Sequence, residues 1–277
     1  MHALPLGFEE CDNQRSAFIR DLILRQSASS PRSVAECHSD KTQIPRTLIR
    51  YWHDQSDLPE DVNACLKSWD RLADDGFALS MFDDSSAAAY IADAYGEREC
   101  RAFARCGHPA MRCDYFRMCF VLAEGGLYVD ADEVLLGDGW RHIFRDGRLK
   151  VQPLCYDIQA GRMAPSSEIW RTDLPEGSRI FYLNNNPIAA PANHPVLRGA
   201  LARATDKLLG EEHCSDIQYT TGPGNFTAAL AAHARHVELA GLPYDFELLH
   251  DWGSIAETRW DLSYRADARN WRNVFRC

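Results

Sequence analysis

At 277 residues, with 45% hydrophobic and 25% charged residues, the chain is long enough to bury a full α/β core and too apolar to be disordered as a whole. A formal net charge of -10 argues against non-specific nucleic-acid binding and against docking on an anionic membrane by charge. It leaves room for an anionic small molecule, because one metal ion and a few basic side chains reverse the sign locally.

Met1 to Arg15 carries Glu9, Glu10 and Asp12 where a signal peptide would need an apolar centre. No run approaches the ~18 apolar residues of a membrane span, so the expectations are no transmembrane segment and a cytoplasmic location. Residues 13 to 26 read as a short amphipathic helix, with Phe18, Ile19, Leu22 and Ile23 on one side. Ser27 to Thr42 is polar, holds Pro31 and several serines, and reads as a linker. Residues 1–43 are thus expected to be an N-terminal helix and linker, and 44–277 the main domain. Ile44 to Trp52, rich in β-branched and aromatic residues, reads as the first core strand. Asp61 to Leu72 is helical in pattern, and Phe77 to Phe82 is a second strand ending at Asp83-Asp84. Ser85 to Tyr95 and Glu97 to Arg105 read as further helices.

Pro109 to Glu124 has Met111, Phe116, Cys119, Phe120 and Ala123 near helical spacing, and Gly125-Gly126 stops it. Leu127 to Val129 is a short strand running into Asp130-Ala131-Asp132-Glu133. A strand at Ile180 to Leu183, a Pro/Asn loop from Asn184 to Pro195 and a helix to Leu209 follow. Gly222-Pro223-Gly224 is a turn ahead of a helix from Phe226 to Ala234, Tyr244 to Leu249 is a last strand, and a polar tail with tryptophans ends the chain. Strands alternating with helices predict an α/β fold with a mostly parallel sheet. The 10 cysteines show no C-x-x-C pair around Cys100, Cys106, Cys113 and Cys119, so they read as reduced, buried thiols.

Asp130 and Asp132, at i and i+2 on a strand end, can point the same way and share one hard cation. The preceding helix adds Asp114 and Arg117, three apart on one face. A charged pair on a core helix, leading through two glycines to a pair of carboxylates, points to a polar site at the C-terminal edge of the sheet.

Cys113-Asp114, Arg117, Val121, Gly125-Gly126, Tyr128, Asp130 and Asp132 together resemble the sugar-binding region containing the D-x-D motif of glycosyltransferase family 32. That region is shared with yeast-type initiating mannosyltransferases and, more remotely, with large clostridial glucosylating toxins. Cys113 stands where the family has serine, and Val121 where it has leucine. Ile44-Pro45 through Trp52 is similar to the family's opening strand, with Ile49 in place of its usual histidine. Asn186 to Pro195, with His194-Pro195, resembles its asparagine loop, and Thr221-Gly222-Pro223-Gly224 its T-G-P turn.

The resemblance implies a GT-A fold with a Rossmann-like sheet. It also implies retaining transfer of a hexose from a nucleotide-diphosphate sugar, UDP-linked ahead of GDP-linked, to a glycan, small-molecule or protein hydroxyl. By similarity Asp130 and Asp132 hold Mn²⁺ or Mg²⁺, since their hard oxygens suit those ions. Asp114 and Arg117 grip the donor sugar beside Tyr128, and Trp52 and Trp271 contact the donor. The third metal ligand is left among Asn270, Asp267 and His250, with Asn270 first. Arg265 and Arg269 are candidates for the diphosphate, and Gly222 to Gly224 for an anion or acceptor hydroxyl. A covalent intermediate would need a group on the far face of the sugar, for which Asn184, Asn185 and Asp157 are the only suggestions; a front-face reaction needs none. The competing readings are another metal-dependent nucleotide enzyme, a nucleotidyltransferase or phosphohydrolase, and a non-catalytic nucleotide-sugar-binding module.

Overall fold

The structure, a computed structural model, describes residues 4–28, 43–174, 177–210 and 216–273. Most of the expected linker, 29–42, lies outside them. In chain order come α1 (Asp12–Ala28), β1 (Thr47–Tyr51), α2 (Glu60–Ser68), β2 (Ala78–Phe82), α3 (Asp84–Ala94), α4 (Glu97–Ala104) and α5 (Pro109–Glu124). Next are β3 (Gly126–Tyr128), β4 (Glu133–Leu135), β5 (Leu149–Asp157), β6 (Arg162–Met163), α6 (Ser166–Ile169) and β7 (Arg179–Ala190). The last are α7 (Pro195–Leu209), α8 (Ile217–Thr220), α9 (Pro223–Leu239), β8 (Phe246–Leu248), α10 (Trp252–Ile255) and β9 (Ala256–Thr258).

Seven strands form one sheet in the order β2-β1-β3-β7-β5-β6, with β8 also paired to β5. β1, β2, β3, β5 and β8 point one way; β7, between β3 and β5, runs against them, as does the short β6. The expected mostly parallel α/β sheet is therefore present, with one long reversed strand through its middle. Period-two alternation divides the core. Ile49, Tyr128 and Ile188 face the helices α1, α5, α7 and α9, whereas Leu48, Leu127 and Ala189 face Trp69, Trp140, Trp252 and Ile255.

The expected apolar side of α1 is buried: Phe18, Ile19, Leu22 and Ile23 join the same core as the sheet, and Ser16 Oγ accepts the Phe181 N–H of β7 at 2.9 Å. β5 carries no strand signal in the sequence, because it includes Pro153 and the fully buried Lys150. That lysine is satisfied by Asp146 at 2.7 Å and Glu247 at 2.6 Å. The expected loop from Asn184 is also strand as far as Ala190. Among the described residues no helix is long and apolar enough to cross a membrane. The described cysteines are all free, and Cys65, Cys106, Cys119 and Cys155 are buried.

β1, β2 and β3 end along one edge of the sheet, and Trp52, Asp83 and Asp130 follow from those ends. Parallel strands terminate there without continuing their ladder, so a crevice can form.

Candidate active site

The double glycine brings the site together. Gly125 has φ 74° and Gly126 φ 116°, and a Cβ on Gly126 would fall 2.7 Å from the Thr47 carbonyl oxygen. Only glycine permits that backbone and that approach. β3 can therefore leave α5 abruptly and pair at once with Leu48 and Ile49 of β1. α5 starts as sharply, with His108 Nδ1 accepting the Ala110 N–H at 3.0 Å and Pro109 in its first turn.

α5 is buried on nearly every side, including at Asp114 and Arg117, which are 6% and 4% exposed. Their polar groups are satisfied by one another and by β7. Arg117 Nη2 lies 3.1 Å from Asp114 Oδ1 and donates to Asp130 Oδ1 at 2.9 Å, while Nη1 donates to the Asn185 carbonyl oxygen at 2.7 Å. Asn185 Nδ2 donates to Asp114 Oδ1 at 2.8 Å. The Arg117 guanidinium also sits 4.2 Å over the Tyr128 ring, and the Tyr128 hydroxyl donates to Asp130 Oδ1 at 3.0 Å. Cys113 Sγ lies 2.9 Å from that hydroxyl. Burial, reinforced by Asp130 and opposed by Arg117, pushes Asp114 up to about 6. Gly222 closes on this carboxylate: a Cβ there would meet Asp114 Oδ2 at 3.3 Å. The T-G-P turn thus seals the back of the site.

β7 delivers its asparagines through a bulge. Leu183 pairs with Pro153 and Ile188 with Val151, so four residues, 184–187, oppose the single Gln152. Such an insertion turns side chains out of the ladder. Asn186 Oδ1 accepts the Asp130 N–H at 2.9 Å; the Asn186-Pro187 peptide is cis. Sequence reasoning had placed Asn186 only in a resembling loop and had not assigned it a partner. Of the three far-face suggestions, Asn185 is in the site. Asp157 pairs with Arg179, six residues up the strand or roughly 20 Å away. Among the described residues Asn184 makes no hydrogen bond to the carboxylates.

Asp130 and Asp132 stand together, with side chains 33% and 15% exposed. Burial and the neighbouring Asp130 push Asp132 up to about 6, against the pull of Arg265 and Tyr264. Among the described residues, Asp130 Oδ2 and Asp132 Oδ1 accept no hydrogen bond, since Arg117 and Tyr128 use Asp130 Oδ1 and Tyr264 and Arg265 use Asp132 Oδ2. Two carboxylates with an oxygen each to offer suit a hard divalent cation such as Mg²⁺ or Mn²⁺, whose other positions commonly go to phosphate and water. No third His, Cys, Asp or Glu joins them among the described residues. Glu133, given no role in the sequence reading, is buried next to the pair. Its burial, with Asp132 and Asp130 near, pushes it up to about 8 despite hydrogen bonds from Thr258 and Trp252.

The chain's last turns cover Asp132. The Tyr264 hydroxyl donates to Asp132 Oδ2 at 2.8 Å and Arg265 Nη2 donates to the same oxygen. Tyr264 had no sequence signal, and Arg265 meets a carboxylate where a diphosphate contact was expected. Trp52 is 7% exposed, donates through Nε1 to the Asp57 carbonyl oxygen at 3.2 Å, and has Tyr264 edge-on at 5.3 Å. Arg269 pairs with Asp267 and Asp57 and lies 6.0 Å over Trp52. Asn270 Nδ2 donates to the Arg265 carbonyl oxygen at 2.9 Å and its Oδ1 accepts from Arg272 N, so its amide serves its own turn. Trp271 packs against the main core and His250 stacks on Trp170. The structure thus gathers Asp114, Arg117, Tyr128, Asp130 and Asp132, sets Trp52 under Tyr264, and does not bring Asn270, Asp267, Trp271 or His250 onto the carboxylates.

The solved structure of PaToxG Glycosyltransferase superimposes over 96% of this chain and 96% of its own, with a TM-score of 0.50 and 16% sequence identity. The chain has a glycosyltransferase fold. Two relatives are similar in sequence, and both are named initiation-specific alpha-1,6-mannosyltransferase. That of Schizosaccharomyces pombe is 26% identical over 205 residues, covering 70% of this chain and 48% of the relative. That of Candida albicans is 21% identical over 276 residues, covering 91% of this chain and 68% of the relative. The chain thus spans about half the length of the first relative. No family model matches it.

Proposed function

We propose that the chain is a retaining, divalent-metal-dependent glycosyltransferase that moves a hexose from a nucleotide-diphosphate sugar to a hydroxyl acceptor, with a glycan as the acceptor class. The carrying observation is the buried Asp114–Arg117–Asp130–Tyr128 network set beside Asp132 at the C-terminal edge of the sheet. A structural ion pair alone does not call for two carboxylates around one buried guanidinium with a third carboxylate, Asp132, beside them. Two mannosyltransferase relatives and the glycosyltransferase fold support the same class of chemistry.

Each residue then has a task. Asp130 and Asp132 are the residues that would hold Mn²⁺ or Mg²⁺, which when bound supplies positive charge against the diphosphate leaving group. Arg117 keeps Asp130 aimed, because its guanidinium donates to Asp130 Oδ1 directly. Asp114 offers an acceptor to the hydroxyls of the donor sugar, and Arg117 donors. Trp52 offers an aromatic face to the nucleotide base once Tyr264 has moved aside. Among the described residues no further carboxylate joins Asp114, Asp130 and Asp132 for a covalent step, and the front-face course fits them best. The bond from the sugar to the diphosphate oxygen breaks, the acceptor oxygen bonds to the same face, and its proton passes to the departing phosphate. A covalent glycosyl-enzyme caught by mass spectrometry would overturn that course.

UDP-hexoses remain first among donors and GDP-hexoses second; the relatives' names make mannose a sugar to try early. A thermal-shift screen of nucleotide sugars with and without Mn²⁺ tests the reading, since a ligand that binds only the folded chain raises its melting temperature. The expected result is a shift that requires metal and nucleotide sugar together. No shift from any combination would remove the basis for the proposal.

A further inference from the structure

Glu133 follows the paired aspartates directly, is 3% exposed, and lies where three chain segments meet. Oε1 accepts from Asn186 Nδ2 at 3.1 Å and from Thr258 Oγ1 at 2.7 Å; Oε2 accepts from Trp252 Nε1 at 3.2 Å. Its own backbone is held too, with N donating to the Asp130 carbonyl oxygen at 3.2 Å and O accepting from Trp69 Nε1 at 2.9 Å. The amide of Asn186 has two ends of opposite sense. Its Nδ2 points at Glu133, and this turns Oδ1 toward the Asp130 N–H, 2.9 Å away.

We infer that Glu133 is a positioning residue for the proposed transfer: it fixes the amide of Asn186 in the orientation that anchors the Asp130 backbone, and so sets the turn bearing both carboxylates. Asn186 Nδ2 and Trp252 Nε1 are donors only, and Glu133 meets each of them with an oxygen. With an amide in its place the NH₂ goes to the Thr258 and Asn186 side, because Trp252 Nε1 is a donor only whereas the Thr258 hydroxyl also accepts, and the Asn186 side chain loses its reason to keep Oδ1 on Asp130. Such outer partners orient the groups that bind a ligand directly, and their loss commonly costs 10- to 100-fold in affinity. The inference rests on Asp130 and Asp132 being the metal-binding pair.

Glu133→Gln, Asn186→Ala and the double variant test it in the full chain. Amide hydrogen exchange of Asp130 is read by NMR without metal, and Mn²⁺ affinity by an EPR titration. The Val129 amide, bonded to the Ile49 carbonyl oxygen at 3.2 Å, serves as internal control. Glu133→Gln is expected to speed Asp130 exchange about tenfold while Val129 stays protected, and to weaken Mn²⁺ binding about tenfold. Asn186→Ala should do the same, and the double variant no more than either alone, because both act through one hydrogen bond. A general loss of packing would loosen Val129 as well and give additive effects. Should Glu133→Gln not fold, Glu133→Asp, which withdraws the acceptors by one methylene, is expected to speed Asp130 exchange selectively. Asp130 protection unchanged in the folded variant, or additive losses, overturns the inference. An unaltered chain that binds no Mn²⁺ overturns the metal reading alone, and the exchange result still decides the place of Glu133.

Discussion

Asp114 shows how a residue that looks ordinary in sequence becomes a chemical group under burial. Its carboxyl, held at about 6, binds a proton in the folded chain between roughly pH 4 and 6 that the unfolded chain has released. Its contribution therefore favours folding below about pH 4 and declines as pH rises to about 6, then stays level. Asp132, at about 6, and Glu133, at about 8, tilt stability the same way. Urea unfolding of Asp114→Asn from pH 4 to 8 should show the variant gaining on the unaltered chain up to about pH 6 and not beyond. Removing Arg117 should act differently, since it strands two carboxylates. Arg117→Ala is expected to destabilise by roughly 3 to 5 kcal/mol, measured by the same unfolding, and to abolish donor binding. The motif made these residues legible: Asp114, Arg117, Tyr128, Asp130 and Asp132 do meet. Glu133 and Tyr264 were not legible, because a lone glutamate and a lone tyrosine carry no spacing signal until the chain folds back on them.

Among the elements, the α5–β3 junction and the C-terminal turns matter most. Gly126→Ala must fit a Cβ 2.7 Å from the Thr47 carbonyl oxygen at φ 116°, so a loss on the order of 2 kcal/mol or more in stability is expected from thermal or urea unfolding. The double glycine made this turn legible in the sequence. The sequence did not reveal the bulge in β7, where asparagines and proline read as a loop although the ladder resumes at Ile188. Nor did it reveal where the tail would lie. There Arg265 brings positive charge to Asp132, competing with any cation for the same carboxylate. Arg265→Gln should therefore strengthen Mn²⁺ binding several-fold in an EPR titration. If Arg265 turns to the diphosphate once a metal is bound, the same variant should weaken nucleotide-diphosphate binding in the presence of metal. Unchanged affinities for both would leave Arg265 a structural contact only.

The whole molecule is a sheet in which five strands point one way and a long reversed strand crosses the middle. Alternation of strands and helices was enough to foresee that class. The reversed strand and β5 were not foreseeable, because direction depends on partners distant in sequence, and Lys150 and Pro153 disguise a central strand. What the fold achieves is to bring α5, the end of β3, the bulge of β7 and the chain's last turns to one edge. In the proposed reaction Asp130 and Asp132 hold a divalent ion that makes a nucleoside diphosphate able to leave. The decisive measurement is release of nucleoside diphosphate from UDP- and GDP-hexoses, followed with Mn²⁺, with a chelator, and in Asp132→Asn. Release is expected to stop on chelation, to return with Mn²⁺, and to slow at least about a hundredfold in Asp132→Asn while its melting temperature does not fall. Release that proceeds at full rate in Asp132→Asn, or that ignores the chelator, would contradict it.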